Sequence, residues 1–193
     1  SGRKFGKSEG NAVWLAGSDN GSGNFTSVFD FYQFWLNQAD EAVEYLIKIY
    51  SVLDKSVIDQ ILSEHRAHPE QRIAQKALAK SATEVVHGKK SAAAAILLTE
   101  LLFGDRRLET LSESEVESIS FLLPTMKLVD KSGSVLLLDA LTETGLCSSR
   151  SEAKQLVSGN AISVNGIKVT DLNFEINTLS VLKRGKNKFI LIK

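Results

Sequence analysis

An all-helical bundle followed by a small α+β unit is the fold that this 193-residue sequence predicts. Three observations carry the prediction. Between Val28 and Pro124 apolar residues recur at three- and four-residue spacing, the period of a helix buried on one face. Beyond residue 134 the pattern becomes two short helical runs and then alternating stretches broken at Asn-Gly and at Gly. Charge shifts with the pattern: residues 134–193 hold eight basic and five acidic residues, leaving 15 basic and 18 acidic ones of the totals of 23 and 23 for residues 1–133. An acidic helical part is followed by a modestly basic one.

The elements follow in order. Residues 1–24 are rich in Gly, Ser and Asn and read as loop, apart from a short apolar piece at 12–16. VFDFYQFWL, from Val28, sets Phe31, Phe34 and Trp35 on one helix face. Asp40 is placed to cap a second helix, EAVEYLIKIYSVL, with Val43, Leu46, Ile47 and Tyr50 inward. A third helix over 56–67 ends before Pro69, which suits the first turn of the next run. That run closes at His87-Gly88, a left-handed stop, and KKSAAAAILLTELLFG closes at Gly104. Ser112 and Glu115 have capping-box spacing and open a helix that stops near Pro124. The bundle thus covers 25–123, and PTMKLVDKSG at 124–133 reads as a linker. SVLLLDALTETG and SSRSEAKQLVSGN predict two helices ending at Gly145 and Gly159. AISVNGIKV predicts a tight hairpin about Asn165-Gly166, and LSVLKRGKNKFILIK two more strands across Gly185. Two helices packed on a small antiparallel sheet make a unit of about sixty residues, a size that can just fold alone.

Composition excludes several functions. Hydrophobic residues at 43% and charged ones at 24% are ordinary for a soluble globular chain, and the equal totals of basic and acidic residues exclude a basic nucleic-acid tail. Apolar runs such as AAAAILL and LLLDAL are far shorter than the ~20 residues of a membrane span. The first residues lack the order of a signal peptide. The single cysteine, Cys147, rules out an internal disulfide and suits a reducing cytosol; it reads as a buried small residue. One cysteine and three scattered histidines (His65, His68, His87) make no metal constellation. Phe31, Tyr32, Phe34 and Trp35 could stack on unpaired bases, but at helical spacing they read as core.

Two stretches carry chemistry. In SGRKFGKSEG, Lys4 and Lys7 flank Phe5-Gly6, with Ser8 and Gly10 following. Lysine is a mobile point charge suited to phosphates, and glycine lets backbone N–H groups approach them. The same residues also suit a solvated basic linker, and the spacing is not that of a P-loop. Further on, Arg150, Lys154 and Ser158 are four apart and share a helix face beside the hairpin that carries Asn165 and Lys168. Such a surface can follow an RNA backbone or merely be solvated. Lys183, Arg184, Lys186 and Lys188 form the densest basic cluster of the chain.

KFGKS at 4–8 resembles the KMSKS signature of class I aminoacyl-tRNA synthetases in its tyrosyl form, and EGNAVWL, FYQFWLNQAD and VVHG are similar to their counterparts in bacterial tyrosyl-tRNA synthetases. GLCSSRSEAKQLVSGNAISVNGIKV resembles the S-four-type RNA-binding domain, and LKRGKNKFILIK the close of that domain in the same family. The resemblance implies a catalytic motif at Lys4, Lys7 and Ser8, with both lysines neutralising ATP phosphates during tyrosyl-adenylate formation and Lys7 the main ATP contact. It implies RNA contacts at Ser149, Arg150, Ser151, Lys154, Gln155, Asn165, Gly166 and Lys168, extended by Lys183, Arg184, Lys186 and Lys188. The helical part at 25–123 would read the anticodon, with Asp40 and its neighbours as candidates, and 1–24 would be a remnant of the catalytic domain. The nucleotide-binding domain that precedes the motif in the family does not occur in this sequence. The expectation is therefore a C-terminal piece that binds tRNA(Tyr) through the anticodon region and long variable arm and is inactive alone. ATP and Mg²⁺ would serve the full-length enzyme, a cytoplasmic homodimer, with none bound to this monomeric piece. A non-catalytic structured-RNA-binding or ribosome-associated module is the alternative; KFGKSEGNAVWL argues against it.

Overall fold

The computed structural model describes residues 12–19, 21–127, 134–176, 179–185 and 188–193. The chain divides into two compact units, the second beginning at Thr99.

In the first unit, helix α1 (Val28–Leu36) starts where the Ser27 hydroxyl accepts from the Asp30 N–H at 3.0 Å. Helices α2 (Asp40–Tyr50), α3 (Lys55–Ala67) and α4 (Ile73–His87) follow. α4 packs against all three of the others. Its buried Ala74, Ala79 and Ala82 let neighbouring backbones approach closely. The apolar core joins Val43 and Ile47 of α2, Ile58 and Leu62 of α3, and Ala74 and Leu78 of α4. Phe31 and Tyr32 of α1 are buried as core, while Trp35 is half-buried with its ring 4.9 Å from that of Tyr50.

Three expectations are corrected here. Asp40 does not cap α2: Ala39 holds that position without a side-chain bond, and Asp40 lies in the first turn. Its carboxylate instead accepts from Gln75 Nε2 on α4 and lies 3.4 Å from His65 Nε2, so a tertiary partner displaces the local one. Tyr50 is half exposed rather than inward, because the chain turns out of the helix at Ser51. Pro69 opens only a single 3-10 turn, and the chain passes through Arg72 at φ 55° before α4 begins at Ile73. The Arg72 guanidinium donates to the Leu36 carbonyl at 2.6 Å, a bond that offsets the left-handed strain.

Helix α5 (Lys89–Phe103) contains the division between the units. It stops at Gly104, where a Cβ would lie 2.8 Å from the Glu100 carbonyl oxygen, so a larger residue would force the backbone to move. Helix α6 (Glu113–Ser120) opens with the capping box read from the sequence, Ser112 and Glu115 bonding reciprocally.

The second unit continues through β1 (Thr125–Met126), β2 (Val135–Leu136), α7 (Leu137–Glu143), α8 (Arg150–Ser158), β3 (Ile162–Val164), β4 (Ile167–Lys168), β5 (Glu175–Ile176), β6 (Ser180–Arg184) and β7 (Lys188–Ile192). Five strands form one sheet in the order β1-β7-β6-β3-β4, and β2 pairs separately with β5. The sheet is mixed rather than wholly antiparallel, because β1 runs parallel to β7. Thr125 and Met126, within the stretch read as linker, supply that edge strand; the Leu191 and Lys193 N–H groups donate to the Pro124 and Met126 carbonyls at 3.0 and 2.9 Å. The helix expected from Ser134 starts later, since Val135 and Leu136 pair with Ile176 and Glu175. α7 and α8 cover one face of the sheet, burying Leu137, Leu141, Ala153 and Val157 against Ile162, Leu182 and Ile190. Cys147 is buried in this core, which pushes its thiol pKa up.

Candidate nucleic-acid interface

The β3–β4 hairpin turns through Asn165 at φ 49° and Gly166 at φ 80°, the two positive values that a two-residue turn of this hand requires. Leaving the ladder costs Asn165 the regular use of its carbonyl, and its side chain takes over. Asn165 N–H donates to the Val181 carbonyl at 2.9 Å, and Asn165 Oδ1 accepts from the Val181 N–H at 2.8 Å. Asn165 and Gly166 therefore build the hairpin that presents Lys168.

At the other candidate stretch, Ser149 caps α8 by accepting from the Glu152 N–H at 3.2 Å. The Glu152 carboxylate accepts from the Ser148 hydroxyl and N–H at 2.7 Å each, and from Arg184 Nη2 at 2.7 Å. These bonds, the Ser148 hydroxyl first, hold its pKa below the usual carboxylate range. Arg184 also donates to the Leu146 carbonyl, and Arg150 is paired with Asp139. Both arginines are thus tied to the frame of the loop before α8. Lys154, Gln155 and Ser151 on α8, Lys168 on β4 and Lys188 on β7 are exposed, and among the described residues these lysines meet no carboxylate.

Lys183 and Arg184 are sequence neighbours on opposite faces of β6. Arg184 lies opposite Ile162, on the side of α7 and α8, whereas Lys183 lies opposite Ser163 and Phe189 on the other side. There its ammonium sits 5.2 and 5.4 Å from the ring centres of Phe103 and Phe189. The structure thus brings Ser149, Arg150, Glu152 and Arg184 together around the start of α8 and separates Lys183 and Lys168 from them. Lys4, Lys7, Ser8 and Lys186 lie outside the described residues.

Beneath Lys168 and Lys183 is a cleft of about 670 Å³, walled by Leu101, Leu102, Leu108, Ile167 and Val181 and edged by Arg106, Arg107 and Glu109. Arg106 is paired with Glu115 and Glu100. Sequence reading missed Arg107, Ser163 and Phe103, since none lies in a motif; the only available signal was the alternation through Ser163 in AISVNG, which puts its hydroxyl opposite the apolar face.

In the first unit, His87 stands 4.8 Å from the Phe31 ring, and burial lowers its pKa. Among the described residues no group of three or more His, Cys, Asp or Glu could hold a metal ion, and no helix is long and apolar enough to cross a membrane.

Residues 1–104 match the family model for class I tRNA synthetases (W and Y), and residues 115–192 match the tyrosine–tRNA ligase SYY-like C-terminal domain. The chain belongs to the class I tyrosyl-tRNA synthetase family. A tyrosine–tRNA ligase of Staphylococcus haemolyticus is 35% identical over 199 residues, covering 99% of this chain and 45% of that protein. One of Mesoplasma florum is 38% identical over 202 residues, covering 100% and 46%. The chain therefore spans less than half the length of these curated relatives. A C-terminally truncated Aspergillus nidulans mitochondrial tyrosyl-tRNA synthetase of known structure matches 40% of this chain and 23% of its own at 38% identity, with a TM-score of 0.40.

Proposed function

We propose that these residues form the tRNA-binding C-terminal part of a tyrosine–tRNA ligase, which joins tyrosine to tRNA(Tyr) through tyrosyl-adenylate. The observation that carries the reading is the match of residues 115–192 to the ligase C-terminal domain, in a unit whose Lys154, Lys168 and Lys188 are exposed and, among the described residues, meet no carboxylate. Unneutralised lysines on a folded surface suit the phosphates and shape of structured RNA. The helical unit and this one contact the anticodon region and the long variable arm. Lys4, Lys7 and Ser8 belong to the KMSKS-type motif, with Lys7 at the ATP phosphates; ATP and Mg²⁺ act in the full-length, cytoplasmic, homodimeric enzyme. The 193 residues alone are monomeric and bind tRNA without forming adenylate, a reading supported by their 45% share of a relative's length.

Filter binding of labelled tRNA(Tyr) and of other tRNAs across a salt series tests this. Preference for tRNA(Tyr), weakened by Lys154→Ala and Lys186→Ala, is expected. Equal binding of all tRNAs, untouched by either substitution, would refute it. Tyrosine-dependent ATP–pyrophosphate exchange by this chain would overturn the proposed inactivity.

A further inference from the structure

The cleft on the outer face of the sheet is built unlike the α8 surface. Ser163 on β3 is the direct cross-strand partner of both Lys168 on β4 and Lys183 on β6. Directly opposed residues point to the same face, so the three form one row, with a hydroxyl midway between two ammonium-bearing chains. At about 4.8 Å per strand the two lysines are rooted about 10 Å apart. The adjoining residues Ile162, Val164 and Leu182 point the other way, into the core with α7 and α8. This row is therefore turned away from α8 by the pleat itself.

The side chains of the row are available. Ser163, 9% exposed, stands between the two lysines on the cleft side of the sheet. Lys183 is steadied between two rings and, among the described residues, meets no acid. Among the described residues Lys168 and Arg107 meet no carboxylate, and Glu109 is the only acid on the rim. Leu101, Leu102, Leu108 and Val181 give the cleft one apolar side, and Phe103 is 53% exposed beside Lys183. The volume of about 670 Å³ falls within the roughly 300–1,000 Å³ of small-ligand sites.

We propose that this cleft takes one unpaired nucleotide of a bound RNA, its phosphate between Lys168 and Lys183 with the Ser163 hydroxyl donating, and its base against Leu101, Leu102 and Val181. The inference rests on the RNA reading above and names a second RNA-contacting surface, on the opposite side of the sheet from Lys154. Cations beside an apolar floor match the two halves of a nucleotide. A base held in a duplex cannot enter a concavity, whereas an unstacked one can be splayed into it. Glu109 on the rim is placed to accept from a base amino group or a ribose hydroxyl.

Fluorescence anisotropy of the 193-residue chain with a labelled ten-nucleotide single-stranded RNA, and with the same RNA as a duplex, tests the proposal. The paired substitution Lys168→Gln with Lys183→Gln should weaken single-strand binding about tenfold at 0.1 M salt. The slope of log affinity against log salt should fall by about 1.4, two contacts at about 0.7 each on a single strand. Ser163→Ala should weaken binding a few-fold with the slope unchanged, while Lys154→Gln should weaken duplex binding and spare the single strand. Single-strand affinity and slope unmoved by the lysine pair would overturn the proposal. So would displacement of the RNA by an acidic peptide of equal charge at equal concentration, which would point to a protein partner. If the lysine pair fails to fold, unchanged affinity in Ser163→Ala overturns it alone. RNA binding that persists with neutral cleft variants removes only the cleft; no binding of either RNA by the unaltered chain removes the RNA reading as well.

Discussion

Asn165 separates a structural from a binding role more sharply than any other residue of the candidate interface. Its side-chain oxygen satisfies the N–H of Val181, which is 5% exposed, at 2.8 Å. Asn165→Gly keeps the φ of 49° attainable but orphans that buried donor, at a cost of about 2 kcal/mol. Asn165→Ala adds left-handed strain of about 1 kcal/mol, for about 3 in all. Asn165→Asp retains an acceptor and a residue tolerant of this conformation, and should cost well under 1 kcal/mol. In a domain of about 60–100 residues each kcal/mol moves the Tm by roughly 4–8 °C. The second unit should therefore melt about 8–16 °C lower in the glycine variant, and lower still in the alanine one. Hydrogen exchange at the Val181 amide should accelerate in both and stay slow in the aspartate variant. Binding of tRNA by Asn165→Gly, measured where the variant is folded, should match that of the unaltered chain. Equal stability of the glycine and unaltered proteins would refute the bond, and lost tRNA affinity in the folded glycine variant would refute its purely structural use.

Acid should weaken the two units in different pH windows. His87 is neutral in the fold, its pKa lowered by burial, so the first unit is fully stable above the unfolded value of about 6.5 and loses stability as pH falls below it; urea midpoints at pH 7.5 and 5.5 should differ, and His87→Gln should flatten the difference. The Glu152 pKa is also lowered, so its contribution to the second unit is full above about 4.3 and lost as pH falls through the folded value; Glu152→Gln removes that dependence. Leu78→Ala, at a fully buried position between α2 and α3, should cost the first unit about 2–5 kcal/mol by chemical denaturation.

What could be read in advance was local. The Asn165-Gly166 turn, the Ser112–Glu115 capping box and the stop at Gly104 each depend on residues within four positions, and each is found where its chemistry put it. What could not be read depended on distant partners. Asp40 has the chemistry of a cap, but Gln75, 35 residues away, takes its carboxylate. Thr125 and Met126 are too short a run to show alternation, and become a strand only because β7 offers an edge. The site followed the same division. The basic residues near the C-terminus were visible as a cluster, but whether each meets a carboxylate, an aromatic ring or solvent is decided by elements that precede them in the chain. Arg184 finds Glu152 and Lys183 finds Phe103.

That Lys183–Arg184 pair also acts on the folding of the sheet. Because the side-chain period of a strand is two, sliding β6 by a single residue would turn Lys183 into the cluster around Ile162 and Val164 and turn Leu182 out towards solvent. It would also take the Arg184 guanidinium away from Glu152 and leave that partly enclosed carboxylate unpaired. Two adjacent cations with different partners on opposite faces thus penalise every odd misalignment at once. The dipeptide works as a key cut on both edges, admitting one alignment of the central hairpin and rejecting its nearest competitors.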